Sequence, residues 1–129
     1  MARTPEGVVK NDIKTLLLSF GVWFAGAPKP TVVNGWLHMP VPTPFGVHGI
    51  PDFCGILFGE PFYVEAKAPA GKGSAGAPSG NQLDRHAEIR TAGGHCVVAY
   101  SAEQVEMYIA STWPEKYARL KEEQKTRRK

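Results

Sequence analysis

The chain has 129 residues, 43% hydrophobic and 21% charged, which suits one ordinary globular domain and excludes a largely disordered chain. No apolar run approaches the length that crosses a bilayer, and the opening "MARTPEGVVKND" lacks the apolar centre of a secretion signal. The net charge of +3 is unevenly spread: residues 116–129 hold seven Lys/Arg against two Glu, and the remaining eight basic and ten acidic residues leave the body faintly negative. A basic end of this kind fits a polyanionic partner, with a solvated helix end as the plain alternative.

Thr4-Pro5-Glu6 is a helix start: a capping hydroxyl, a proline at the first helical position and an acid in the first turn. Val9, Ile13, Leu16, Leu17 and Phe20 follow as one apolar stripe, and Gly21 ends it. Val32, Val33, Trp36 and Leu37 suggest a strand, or two short strands bending at Asn34-Gly35, and the proline-rich "MPVPTPFGVHG" is a loop. Residues 51–58 and 61–67 read as two strands about a turn at Gly59-Glu60. The Gly/Ala/Pro/Ser-rich residues 68–80 read as a mobile loop carrying Lys72. A helix is expected over 79–92 with Leu83, Ala87 and Ile89 or the Arg90 stem inward, stopped by Gly93-Gly94. "HCVVAYS" is a buried strand, Ser101 and Gln104 open a helix carrying Val105, Tyr108 and Ile109, and Trp113-Pro114 breaks it ahead of a polar helix. The order α, β, β, β, α, β, α implies a mixed sheet flanked by helices. Domain organisation follows as 1–115 for the core and 116–129 for a basic C-terminal helix or tail.

The two central strands carry the chemistry. A two-residue turn at Gly59-Glu60 sets Asp52 opposite Lys67 and Cys54 opposite Glu65. Opposed residues share a face, so Asp52, Glu65 and Lys67 converge on one side, and Phe53, Leu57, Phe62, Val64 and Ala66 take the other. A bulge would undo this register. Two carboxylates a few ångströms apart repel unless a cation lies between them, and hard oxygen ligands favour Mg²⁺, with Mn²⁺ as a substitute. A lysine beside such a metal holds a water or neutralises charge on a phosphoryl transition state. A salt-bridged trio on a solvated sheet face is the non-functional reading.

"GIPD" at 49–52 followed by "EAK" at 65–67 resembles the PD-(D/E)xK nuclease signature, and more narrowly the VRR-NUC family, whose pattern is G-x-P-D, a hairpin, E-x-K and a downstream glutamine. Gln82 matches the glutamine, and Glu6 matches an acid at the start of the first helix. The resemblance spans about residues 4–101 and implies a restriction-endonuclease-like αβββαβ core. It implies Asp52 and Glu65 as metal ligands with the Ala66 carbonyl, Lys67 orienting the attacking water, and Glu6 and Gln82 supporting the metal or water shell. Single-domain members resemble virus-encoded resolvases that dimerise on branched DNA. The expected activity is therefore a Mg²⁺-dependent, structure-selective DNA endonuclease, homodimeric and cytoplasmic, acting at Holliday or other branched junctions. His48, Lys72, Lys125, Arg127 and Arg128 are the expected DNA contacts. A non-cleaving nucleic-acid-binding protein of the same fold is the alternative, against which three intact charged residues weigh.

Other readings fit less well. In "EAKAPAGKGS" Ala66 stands where a P-loop has its first glycine, and Gly73 where it has Ser/Thr. Cys54, Cys96 and histidines 38, 48, 86 and 95 lack zinc-ligand spacing, so the cysteines read as reduced core residues and the histidines as ordinary surface ones. No histidine pair suggests an HNH site. Trp23, Trp36 and Trp113 read as core.

Overall fold

The computed structural model describes residues 4–41, 43–69 and 78–127. Thr4 caps α1 (Pro5–Ser19), its hydroxyl accepting from the Gly7 amide at 3.0 Å. The buried stripe is Val9, Ile13 and Leu17, with Phe20 as the closing residue and Gly21 beyond it at φ 85°. A short β1 (Val22–Phe24) follows, then β2 (Gly35–His38), β3 (Phe53–Leu57), β4 (Glu60–Ala66), α2 (Gly80–Thr91), β5 (His95–Ala99), α3 (Ala102–Thr112) and α4 (Pro114–Arg127). The strands form one sheet in chain order, parallel between β1 and β2 and between β4 and β5, antiparallel elsewhere. This is the mixed α/β architecture that the order of elements implies, with one strand more than expected.

Alternation divides the sheet into two faces. Leu37, Phe53, Leu57, Phe62, Val64, Val97 and Ala99 join Ile13 and Leu17 of α1, Val105 and Ile109 of α3, and Leu120 of α4 in one apolar cluster. Each fully buried Leu, Ile or Phe of this kind contributes roughly 1.5–3 kcal/mol. The basic C-terminal segment is thus anchored: Leu120 is buried, and the Gln124 amide donates to the Ser19 carbonyl at the far end of α1. The opposite face carries Asp52, Glu65 and α2.

Four local expectations need correction. Val32 and Val33 are exposed loop residues; the strand begins at Gly35, because Asn34 turns its side chain back to cap the Phe20 carbonyl at 2.9 Å. The β3–β4 turn lies at Phe58-Gly59, not Gly59-Glu60: both residues have positive φ (52° and 80°), as the tight hairpin turn requires. In this register Phe53 pairs with Val64 and Leu57 with Glu60, a shift of two residues from the expected pairing. Because the side-chain period is also two, every residue keeps its face. Helix α2 is rolled from its expected orientation. Leu83 and Ala87 face outward, and His86 is its buried residue, only 1% exposed. Finally, Trp36 is 40% exposed and stacks on His38, whereas Trp113 is buried as expected.

Candidate active site

β3 begins at Phe53, so β4 outruns its antiparallel partner, and the Ala66 amide lies beyond the β3–β4 ladder. Asp52 supplies the missing acceptor: its Oδ2 takes the Ala66 N–H at 2.8 Å. That bond holds the aspartate at the end of the hairpin beside Glu65. Its Oδ1 faces Lys10 Nζ at 3.4 Å. The glycine of G-x-P-D has a clear local role. Gly49 has φ 87°, and a Cβ there would lie 2.3 Å from the Asn81 carbonyl oxygen, so only glycine lets the loop press against the first turn of α2.

Lys67 follows β4, and its amide bonds to the Ala99 carbonyl at 2.9 Å. Its ammonium donates to Gln82 Oε1 at 2.8 Å. The same oxygen accepts the Ser79 amide at 2.9 Å, while Ser79 Oγ caps the Gln82 amide. Gln82 is therefore the third residue of a capping box, and the device that starts α2 also fixes the lysine. Glu6 lies close enough for its charge to act on Glu65.

Glu65 is 2% exposed, and its Oε1 has no hydrogen-bond partner among the described residues. Its carboxyl is pushed up to about 9, first by burial, then by the negative charge of Asp52 and a hydrogen bond shared with it, against the pull of Lys67. His86 Nε2 sits 3.6 Å from that oxygen, too far for a hydrogen bond, and neither of its ring nitrogens has a hydrogen-bond partner among the described residues. Burial, with Arg90 and Lys67 nearby, holds the imidazole below its ordinary value and neutral.

These features suit a hard divalent cation. A buried carboxylate with an unused oxygen stands beside a second carboxylate that repels it. Among the described residues no three His, Cys, Asp or Glu side chains gather to hold a metal by themselves. The available donors are Asp52, Glu65 and the Ala66 carbonyl. Two carboxylates completed by water and substrate phosphate are the usual protein contribution to a Mg²⁺ site.

The structure brings together Asp52, Glu65, Lys67, Gln82 and Glu6, with Ala66 between the glutamate and the lysine. His48 is exposed on the adjoining loop, its carbonyl accepting from Arg85 at 3.1 Å. Lys125 and Arg127 lie on α4, near the opposite end of α1 from Glu6 and roughly 20 Å from it by helical rise. Lys72 and Arg128 lie outside the described residues. Sequence reasoning missed two members of the site. Lys10 was findable, one turn on from Glu6 on the same helix face. His86, a surface histidine by its sequence context, is buried against Glu65. The apolar signal from Leu83 pointed to the wrong side of α2. Cys54 and Cys96 are free and buried as expected, their thiols pushed up to about 12 and about 11 chiefly by burial.

No family model matches the sequence, and no curated protein matches it. Among solved structures, a chain described as a VRR_NUC domain superposes with a TM-score of 0.60 at 26% identity, over 83% of this chain and 96% of that one. The shared fold is of the nuclease type. With G-x-P-D, E-x-K and the downstream glutamine gathered at one corner of that fold, the chain is similar to VRR-NUC domains in both fold and motif.

Proposed function

We propose that the protein is a Mg²⁺-dependent deoxyribonuclease that hydrolyses phosphodiester bonds in branched or otherwise structured DNA. The observation that carries this reading is the Glu65 carboxyl, pushed up first by its burial and then by the charge of Asp52, while Lys67 is held alongside by Gln82. A silent scaffold gains nothing from burying repelling acids, whereas a cation site needs them. Bound there, Mg²⁺ or Mn²⁺ would neutralise the phosphate and lower the pKa of a bound water. Asp52, Glu65 and the Ala66 carbonyl would hold the ion. Lys67, anchored through Gln82, would orient the attacking water and offset the charge that grows on the phosphoryl oxygens. Glu6 and Lys10 flank the site from α1, where Lys10 pairs with Asp52.

Resolution of a four-way junction requires two cuts related by symmetry, so the active unit is proposed to be a two-fold dimer. One assay tests the reading: nicked, flapped, four-way and linear DNA are each incubated with pure protein in Mg²⁺, in Mn²⁺ and in chelator. Metal-dependent cutting with preference for branched substrates is expected, and light scattering is expected to give twice 14.0 kDa. DNA binding without cutting under any metal would replace the nuclease with the non-cleaving binding protein.

A further inference from the structure

Beside Asp52 the loop that precedes β3 and the first turn of α2 enclose a cavity of about 490 Å³, lined among others by Val41, Val47, His48, Ile50, Asn81 and Gln82. That size falls within the range of small-molecule sites. Its chemistry is unlike the rest of a nucleic-acid surface. Among the described residues no lysine or arginine lines it, and Asp52 is its one carboxylate. The cations that adjoin it are already engaged, Lys10 by Asp52, Lys67 by Gln82, and Arg85 by Glu88 and the His48 carbonyl. The loop nevertheless exposes apolar groups: Val41 is 82% exposed, Val47 66%, and Phe45, at the tip of the Thr43–Gly46 turn, 97%. Apolar groups exposed together on one loop, rather than singly, mark an interaction surface.

We propose that this cavity receives one unpaired nucleobase of the substrate, flanking the phosphate at Asp52, with Val41, Val47 and Ile50 against its flat face, His48 and Asn81 at its polar edge, and the exposed Phe45, carried between the lining residues Thr43 and Gly46, free to stack on the strand outside. A base is uncharged, flat and apolar on its faces and hydrogen-bonding at its rim, which matches this lining where a phosphate does not. Continuity with the site accounts for the position: a nucleotide whose phosphate lies at Asp52 has its neighbouring base within reach of the loop. The inference rests on the nuclease reading and deepens it. It makes the preferred DNA one with a base already free of its partner, as at a branch, flap or gap.

The test is binding in chelator, so that no cleavage intervenes, of a short single-stranded oligonucleotide and of the same sequence fully paired. Phe45→Ala, exposed enough to leave the fold intact, is expected to weaken single-strand binding about tenfold and duplex binding less than twofold, with Phe45→Trp restoring it. Equal losses on both probes, or none on either, would overturn the base pocket. So would conversion of a dimer to a monomer by Phe45→Ala, which would assign the loop to a second copy of the chain. Wild-type binding with this selectivity but without metal-dependent cutting would sink the nuclease reading and leave the pocket standing.

Discussion

At the scale of single residues, Glu65 controls the energetics of the site. In the unfolded chain it ionises near 4.5; in the fold, without a cation, it does so at about 9. Between these values the unfolded state has lost a proton that the folded state keeps. The contribution of Glu65 to stability is therefore highest below pH 4.5 and falls as pH rises toward 9. A divalent cation at the carboxylates reverses the trend, because it binds the ionised form. Metal-free protein is thus expected to melt at lower temperature as pH is raised from 5 to 8, and added Mg²⁺ is expected to raise the melting temperature more at pH 8 than at pH 5. Glu65→Gln should flatten both dependences, and a wild-type melting temperature independent of pH across that range would contradict the assignment. The sequence made the convergence of Asp52, Glu65 and Lys67 legible, since alternation alone puts them on one face. It did not make His86 legible. A histidine between Arg85 and Ala87 on a polar helix carries no periodic signal, and its burial follows from how α2 rolls onto β5, a tertiary choice.

At the scale of elements, the hairpin shows how a mistaken turn left the site correct. Phe58 in a left-handed conformation is uncommon for a bulky residue, so no local rule favoured Phe58-Gly59 as the turn. Its ring packs edge-on against Trp113 at 5.3 Å, which offsets the backbone cost. The three-residue β1 is too short to display a period, and so it escaped notice. Two elements make distinct predictions. Gly49→Ala forces a Cβ into the Asn81 backbone at an unfavourable φ and is expected to cost on the order of 2 kcal/mol or more. Denaturant melts would read it, and wild-type stability would refute the tight docking of the loop on α2. On the other face, Glu60 ties β4 to β5 and α3, accepting from Trp113 Nε1 at 2.7 Å and meeting His95 Nε2 at 2.8 Å. These bonds hold its carboxyl below the ordinary value of 4.5. Their stabilisation is present above pH 4.5 and is lost as pH falls below it. Glu60→Gln should therefore be less stable than wild type at neutral pH, with the gap closing in acid. A gap that widens in acid would contradict this.

At the scale of the whole molecule, the four helices and five-stranded sheet of the described residues place the acids at one end of α1 and the basic end of α4 near the other. The fold class was legible because element order and hydrophobic period agree. The position of the basic segment was not, because charge composition says nothing about direction. If DNA spans both regions, replacing Lys125, Arg127 and Arg128 by Gln should weaken binding and flatten its dependence on log salt by up to about one unit per lost phosphate contact. An unchanged slope would leave α4 to solvent. The central claim is that Asp52 and Glu65 form a metal-dependent phosphodiesterase centre. Its most direct test is the single-turnover cleavage rate of a four-way junction by wild type, Asp52→Ala and Glu65→Gln, in Mg²⁺ and in chelator. The account predicts cleavage by wild type in Mg²⁺ alone, with both variants reduced at least a hundredfold while still folded and still binding the junction. Near-normal cleavage by either folded variant would contradict it.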